Sequence, residues 1–243
     1  MDYSFLQCGE GALTVHLGDG IDPAINRRVT ALQGAIDSAG LRGITDLIPA
    51  YADLTVCYDC TVISAKALQR QLRRLLDSLS VAGQDRRRVF QLPVCYGGDY
   101  GPDLDFVCHH SGLSAQEVIA LHSAPDYLIY MLGFLPGFAY LGGLDPRLHT
   151  PRLDSPRTCI PAGSVGIGGA QTGVYPLASP GGWQLLGRTP VSVFDRQRQE
   201  PILYRAGDLV HFVPISPAEY EEIARAVAAG TYTVQVEEVP VCD

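Results

Sequence analysis

Short apolar runs separated by turn-forming residues fill most of the chain beyond about residue 92. The clearest runs are TCIPAGSVGIGG (158–169), TGVYPLAS (172–179), GWQLLGRTPVSVFD (182–195) and LVHFVPI (209–215). Runs of this length, bounded every few residues by glycine or proline, are typical of strands in an all-β domain. Two helices interrupt them, because Ser114 and Ser216 each stand three residues before a glutamate, the spacing of a capping box. The pattern predicts a β-sandwich or closed β-barrel and not a parallel sheet.

Strand-like and helical segments alternate in the first third of the chain. A strand pair comes first, and amphipathic helices are predicted after Asp22 and after Ser64, each followed by further strand-like residues. Two helices alternating with strands indicate a layer of helices on one face of a sheet. We therefore predict a ferredoxin-like α+β domain over residues 1–88 and a mainly-β barrel domain over residues 89–243.

A run without charged side chains, YLIYMLGFLPGFAYLGGL (127–144), is long enough as a helix to approach the thickness of a bilayer. Its composition argues against a membrane span, because Pro136 removes a backbone donor and the glycines weaken any helix. The tyrosine hydroxyls would also need partners in lipid. We predict a buried strand followed by a tight apolar loop shaped by Pro136 and Gly137.

Charge and cysteine content narrow the class of protein. The net charge of -8 argues against binding to nucleic acid, and a charged fraction of only 18% suggests a face that a partner covers. Seven cysteines, an odd number, and an N-terminus without a signal-peptide pattern predict a reducing, cytoplasmic location. The sole lysine, Lys66, lies in no P-loop motif, so a phosphate-binding loop is not expected.

Familiar catalytic patterns are weak in this chain. The glycines near Ser164 do not follow the order of a dinucleotide-binding loop, and the string AGSVG lacks the first glycine of a nucleophile elbow. His109 and His110 are adjacent and point to different faces, so no metal site is predicted there. We leave the catalytic residues unassigned.

Polar and amphipathic residues stand among glycines and prolines in residues 150–190. They are Arg157, Gln171, Tyr175, Trp183 and Arg188. Rigid apolar walls with a few convergent donors are typical of a concave binding site. The alternative, that the aromatic rings only fill the barrel, is left open by the sequence.

Three long motifs resemble those of the allophanate hydrolase subunit 1 family, also called the KipI or PxpB family. They are GFLPGFAYLGGLDPRL (133–148), TPRLDSPRTCIPAGSVGIGG (150–169) and QTGVYPLASPGGWQLLGRTP (171–190), with a weaker match at GITDLIPAYADLTVCYD (43–59). The resemblance implies a small α+β N-terminal domain and a cyclophilin-like β-barrel. It also implies pairing with a second cyclophilin-like subunit (KipA- or PxpC-like) and a third, PxpA-like subunit.

The activity that the resemblance implies is an ATP-dependent 5-oxoprolinase, which opens 5-oxo-L-proline to L-glutamate. ATP would be used by the complex, not necessarily bound by this chain, and the chain alone is expected to be inactive. Two alternatives within the family are inhibition of a sensor histidine kinase and the carboxyltransferase half of a urea carboxylase or allophanate hydrolase system. The sequence separates these three roles only in part.

The same motifs supply a predicted cleft for a small-molecule substrate, with no membrane or nucleic acid as partner. In this expectation Arg157 or Arg188 binds an anion, Gln171 orients an amide, and the backbone N–H groups of residues 163–169 stabilise negative charge. The predicted cleft residues are Phe134, Pro136, Gly137, Phe138, Tyr140, Arg157, Pro161, Gly163, Ser164, Gln171, Thr172, Tyr175, Pro180, Gly181, Trp183 and Arg188.

Overall fold

A computed structural model describes residues 3–79 and 86–240 of the chain. The chain divides into two compact units, residues 1–85 and residues 86–243. A strand that begins at Arg86 pairs only within the second unit, so residues 86–88 lie with the barrel and not at the end of the first domain as the sequence suggests.

The N-terminal unit is an α+β unit with one four-stranded antiparallel sheet, in the order β1-β2-β4-β3. Its elements are β1 (Ser4–Cys8), β2 (Ala12–His16), α1 (Pro23–Ala39), β3 (Ile44–Pro49), β4 (Asp53–Tyr58) and α2 (Ala65–Asp77). The two predicted helices are confirmed. The Asp22 carboxylate caps α1 by accepting a 2.6 Å hydrogen bond from Ala24 N, and the Ser64 hydroxyl caps α2.

One face of this sheet forms the core of the N-terminal unit. Leu13, Val15 and Leu54 are fully buried from alternate strand positions, and they belong to the same apolar cluster as Val29 of α1 and Leu68 of α2. The apolar faces of the two helices and of the sheet therefore pack against each other, as the helix and strand periodicities of the sequence predict.

The second unit is built on a closed barrel of seven strands, in the order β12-β9-β10-β7-β6-β13-β5, with β12 pairing back to β5. The barrel strands are β5 (Arg86–Tyr96), β6 (Asp126–Leu132), β7 (Ala139–Gly142), β9 (Ser164–Gly168), β10 (Gln171–Val174), β12 (Gln184–Arg188) and β13 (Leu209–Ile215). β14 (Val236–Pro240) extends the sheet beside β5, and β8 (Arg157–Ile160) pairs with β11 (Ser179–Gly181) in a separate ribbon. The prediction of a barrel domain is confirmed.

One pairing differs from the antiparallel expectation. β13 runs parallel to β5 from the Leu209–Val89 pair to the Ile215–Cys95 pair, whereas every other neighbour pair in the described barrel is antiparallel. A parallel pair needs a long connection, and here most of the barrel lies between the two strands. Local turn signals carry no information about such a pairing.

Three α-helices accompany the described barrel. They are α3 (Leu104–Ser111), α4 (Ala115–Ser123) and α5 (Pro217–Ala228). α4 and α5 begin with the predicted capping boxes at Ser114 and Ser216, which are confirmed. α3 was not predicted from the sequence, and it is a helix of eight residues without a side-chain hydrogen bond at its N-cap. Short helices without a cap leave little pattern to detect.

The long uncharged run forms a β-hairpin, in which β6 is followed by a loop at residues 133–138 and then by β7. This arrangement confirms the predicted buried strand and tight loop. Within residues 3–79 and 86–240, no helix is long and apolar enough to cross a membrane.

Candidate functional site

A second cluster of aromatic rings lies outside the main barrel core, and Phe138 is at its centre. The Phe138 ring centroid is 5.5 Å from that of Phe134, 5.2 Å from Tyr140, and 5.6 Å from both Tyr175 and Trp183. All four contacts have edge-to-face geometry, which aromatic pairs favour. The aromatic side chains of the predicted loop and those of the later glycine-rich motifs therefore contact one another in this cluster.

These rings line a cleft of about 340 Å³. Its lining residues are Phe134, Phe138, Tyr140, Arg152, Pro156, Tyr175, Pro180, Gly181, Gly182 and Trp183. Phe138, Tyr175 and Trp183 are buried and form its floor, whereas Phe134 is 64% exposed. The volume is within the range of small-molecule sites, so we call this feature the aromatic cleft.

Phe134 owes its position to a γ-turn. The Gly133 carbonyl oxygen accepts a 2.7 Å hydrogen bond from Leu135 N, and Phe134 between them has a φ of 66°. It is the only non-glycine residue with positive φ among the described residues. A bulky side chain in this region of φ strains the backbone, so the surrounding loop must hold it there.

A second turn supplies that support. Phe138 N donates a 3.0 Å hydrogen bond to Leu135 O, with Pro136 and Gly137 between them and a φ of 82° at the glycine, as in a type II turn. The buried Tyr204 hydroxyl donates a 2.9 Å hydrogen bond to Gly137 O. Pro136 and Gly137 thus shape the loop and do not line the aromatic cleft.

Two glycines make room for the rings. A Cβ on Gly168 would overlap Trp183 Nε1, and one on Gly181 would lie 2.6 Å from the Tyr175 hydroxyl oxygen. Only glycine allows the indole and the phenol to pack so closely on the backbone. The packing of these rings therefore explains two glycines of the motif without a ligand.

Arg152 is the charged residue among those lining the aromatic cleft. Its guanidinium carbon lies 5.9 Å from the centroid of the Trp183 ring, within the range of a cation–π contact. Arg152 was not among the cleft residues predicted from the sequence.

The structure places Arg157 outside the cleft lining, in a structural ion pair. Arg157 Nη2 donates a 2.7 Å hydrogen bond to Asp103 Oδ1, and Asp103 Oδ2 accepts a 2.6 Å hydrogen bond from Leu185 N. Arg188 also lies outside the lining, and its Nε donates to Ala162 O at 2.9 Å. Both arginines that were predicted as anion-binding groups thus donate to groups of the protein itself.

The segment 163–169 belongs to the barrel wall. Gly163 N donates to Tyr175 O at 2.7 Å and Ser164 N donates to Pro161 O at 3.3 Å, and the rest of β9 pairs with β10 and β12. Its backbone donors are therefore engaged by the fold. The backbone N–H groups that were predicted to stabilise negative charge thus donate within the barrel. Gly163 and Ser164 are buried, and Pro161 is exposed and does not line the aromatic cleft.

Gln171 and Thr172 begin β10 and point to opposite faces of the sheet. Gln171 is half-buried and is not among the residues lining the aromatic cleft. Thr172 is fully buried, and its hydroxyl donates a 3.0 Å hydrogen bond to Gly166 O. Gln171 and Thr172, both predicted cleft residues, therefore do not line the aromatic cleft.

His122 is a buried polar residue that no sequence pattern singled out. Its Nε2 lies 2.8 Å from Thr172 Oγ1, and its Nδ1 lies 2.8 Å from the Tyr96 hydroxyl oxygen. Because Thr172 donates to a carbonyl, the network assigns the proton to Nε2 and makes Tyr96 the donor to Nδ1. Complete burial lowers the pKa of His122 to about 3, so its ring is neutral near pH 7.

This network connects opposite walls of the barrel, since β5 and β10 are separated by at least two strands in either direction around the closed sheet. His122 itself stacks on Phe212, with ring centroids 4.8 Å apart. A lone histidine on a short helix gives no sequence signal of such partners, which come from residues up to 50 positions away. We interpret the network as structural.

The adjacent histidines of α3 are both exposed, and His110 stacks on Phe106. In the part of the chain that the structure describes, no group of three or more His, Cys, Asp or Glu residues is arranged to hold a metal ion.

Comparisons with known proteins match almost the whole chain. A family model described as "Carboxyltransferase domain, subdomain C and D" matches residues 3–204. The B component of the 5-oxoprolinase of Bacillus subtilis (strain 168) is 42% identical over 228 residues, which are 90% of this chain and 95% of that protein. This match confirms the resemblance to the KipI or PxpB family.

Two solved structures have a similar fold. The crystal structure of TTHA0988 has a TM-score of 0.75 and 41% identity over 84% of this chain, which spans 40% of that longer protein. The K. lactis urea amidolyase has a TM-score of 0.81 at 23% identity, covering 98% of this chain and 16% of that protein, and shares the fold alone. From the family model and the Bacillus subtilis relative together, the chain belongs to the carboxyltransferase domain, subdomain C and D, family.

Proposed function

We propose that this chain is a subunit of an ATP-dependent 5-oxoprolinase, which opens 5-oxo-L-proline to L-glutamate together with partner subunits. The nearly full-length similarity to the B component of the Bacillus subtilis 5-oxoprolinase carries the proposal. The proposed partners are a second cyclophilin-like subunit of the KipA or PxpC type and a third subunit of the PxpA type. The distant likeness to urea amidolyase supports a shared fold and gives the carboxyltransferase alternative little weight.

The chemistry fits a chain that mainly positions its substrate. Opening an unactivated lactam requires loss of amide resonance, and transfer of the γ-phosphoryl group of ATP to the lactam oxygen would make the ring carbon a better electrophile. Water then adds to that carbon, and the C–N bond breaks with a proton passing to nitrogen, which forms the amine and leaves an acyl phosphate. A second water hydrolyses the acyl phosphate and releases phosphate and the side-chain carboxylate of glutamate. In this proposal the aromatic cleft holds the lactam ring within apolar walls, and positioning the ring relative to the phosphoryl donor and the attacking water lowers the barrier to reaction. ATP belongs to the complex in this proposal and is assigned no site on this chain.

The finer fold assignments belong to the same proposal. The closed seven-stranded barrel supports the cyclophilin-like assignment. In the N-terminal unit, α1 connects β2 to β3 with β4 lying between them, a split β-α-β unit that supports a ferredoxin-like relationship. Here the first strand in the chain, β1, occupies the sheet edge that the last strand occupies in the ferredoxin-like order.

The experiment is reconstitution from separately purified subunits. The full chain, its two partner subunits, ATP and 5-oxo-L-proline are combined, and glutamate and ADP are measured together. We expect turnover only when all subunits and ATP are present. Full turnover by this chain alone would contradict the positioning role. Absence of turnover in every mixture would contradict the oxoprolinase assignment and favour the alternative of a kinase inhibitor.

A further inference from the structure

The aromatic cleft has a marked imbalance of charge. Its lining consists of aromatic rings, prolines and glycines, with Arg152 as the one charged residue. Arg152 is exposed and makes no ion pair or hydrogen bond within the described residues, in contrast to the partnered Arg157 and Arg188. The cleft therefore contains a positive charge that no carboxylate of the described chain neutralises.

The position of Arg152 over Trp183 leaves its donors available. The N–H groups of a guanidinium lie in one plane, and those of Arg152, whose central carbon lies 5.9 Å from the Trp183 ring centroid, can form two parallel hydrogen bonds to one carboxylate. The indole in turn makes an edge-to-face contact with Phe138, at a centroid distance of 5.6 Å. An anionic group on a small ring would thus meet a cation beside apolar and aromatic side chains.

We propose that Arg152 is the carboxylate-binding residue of the aromatic cleft, and that the cleft takes a small ring compound bearing a carboxylate. This assignment adds a binding residue to the proposed function. The identity of the ring compound as 5-oxo-L-proline rests on that proposed function. The assignment differs from the expectation drawn from the sequence, in which Arg157 or Arg188 had this role. Arg152 is a binding residue here, and no bond is made or broken on its side chain.

Trp183 gives a direct measurement, because it is the only tryptophan of the chain and lies in the cleft floor. The purified full chain is titrated with 5-oxo-L-proline and with 2-pyrrolidinone, which has the same lactam ring without the carboxylate. Binding is followed by intrinsic fluorescence and, independently, by calorimetry, since a substitution beside the indole can itself alter emission. The variants are Arg152→Gln, Arg152→Lys and the control Arg225→Gln, an exposed arginine of α5 away from the cleft lining.

We expect Arg152→Gln to raise the Kd for 5-oxo-L-proline by about tenfold or more, as expected for loss of charge-assisted hydrogen bonds. Arg152→Lys should give an intermediate Kd, because the charge remains while the paired donors are lost. Arg225→Gln should match the wild type. The Kd for 2-pyrrolidinone should be the same in wild type and Arg152→Gln, a result that a merely structural role of Arg152 would not give.

Three results would overturn the assignment: equal Kd values for 5-oxo-L-proline in wild type and Arg152→Gln, an equal loss for both ligands, or no saturable binding to the wild type by either method. The proposed function fails separately. Binding that depends on Arg152 without turnover in the reconstituted mixture would remove the oxoprolinase assignment and keep this one. Turnover in the reconstituted mixture with an unchanged KM for 5-oxo-L-proline in Arg152→Gln would keep the oxoprolinase assignment and remove the role of Arg152.

Discussion

The Nδ1 atom of His122 accepts a 2.8 Å hydrogen bond from the Tyr96 hydroxyl, and this contact ties α4 to the last residue of β5. His122 is fully buried and Tyr96 is partly buried, and burial also raises the pKa of Tyr96 well above its usual value. The pair is therefore neutral and polar within an apolar core, where each hydrogen bond matters because water cannot replace it.

This burial predicts that the barrel loses stability in acid. The pKa of His122 is about 3 in the folded chain and about 6.5 when unfolded, so between these values the unfolded state binds more protons. The free energy of unfolding should fall as pH drops through this range, by at most about 1.4 kcal/mol per pH unit from this residue. Urea unfolding of wild type and His122→Gln across this range isolates the contribution, and parallel pH profiles would contradict it.

The Asp103–Arg157 pair predicts a coupled loss of stability. Their side chains are 11% and 31% exposed, and removing the cation leaves a largely buried carboxylate. Arg157→Gln should lower the free energy of unfolding by about 2 kcal/mol, and adding Asp103→Asn should cost less than the sum of the single changes. Chemical denaturation of the double-mutant cycle measures this coupling. The exposed pair Arg205–Glu200 is the control, where Arg205→Gln should have almost no effect.

The γ-turn at Phe134 predicts an inverted preference between glycine and alanine. Phe134→Gly should be more stable than Phe134→Ala by about 1 kcal/mol, because only glycine adopts the positive φ without strain. Phe106 is the matched control, since it is also exposed but lies within α3, where alanine should be the more stable replacement. Thermal unfolding of the four variants decides the sign, and alanine being better at both positions would contradict the strain.

The close contact between Gly168 and Trp183 predicts that a side chain at position 168 disturbs the packing of the aromatic cleft. The Cβ in Gly168→Ala would overlap Trp183 Nε1, so the indole must move, at a cost of about 1–3 kcal/mol. Tryptophan emission should shift together with the loss in the free energy of unfolding. Gly34→Ala is the control, because its Cβ on α1 would meet no atom within 4 Å and should stabilise that helix by about 1 kcal/mol. An unchanged emission spectrum in Gly168→Ala would show that the indole is not held there.

Elements with local signals were predictable from the sequence. Capping serines located α4 and α5, and the turn residues Pro136 and Gly137 located the loop after β6. Each of these signals depends on atoms within a few residues of one another. The parallel pairing of β13 with β5 depends on chain segments more than a hundred residues apart and has no such signal.

The aromatic rings of the cleft, together with Pro180 and Gly181, were predictable from the sequence, and its arginine was not. Phe138, Tyr175 and Trp183 stand in distinctive motifs, whereas Arg152 and Arg157 are two arginines in similar proline-containing surroundings. Arg152 lines the cleft, whereas Arg157 pairs with Asp103, 54 positions away in the sequence. Ion pairs of this kind are set by the tertiary fold, and a single sequence does not display them.

The parallel strand β13 has a further consequence for how the protein is made. The barrel wall between β6 and β5 is completed by residues 209–215, which leave the ribosome after nearly all of the rest of the wall. The N-terminal unit has its own core and all its strands within residues 4–58, so its contacts can form early in synthesis. Until β13 arrives, β5 and β6 each present an unpaired edge, which is the period when a nascent chain is most exposed to aggregation and to chaperones.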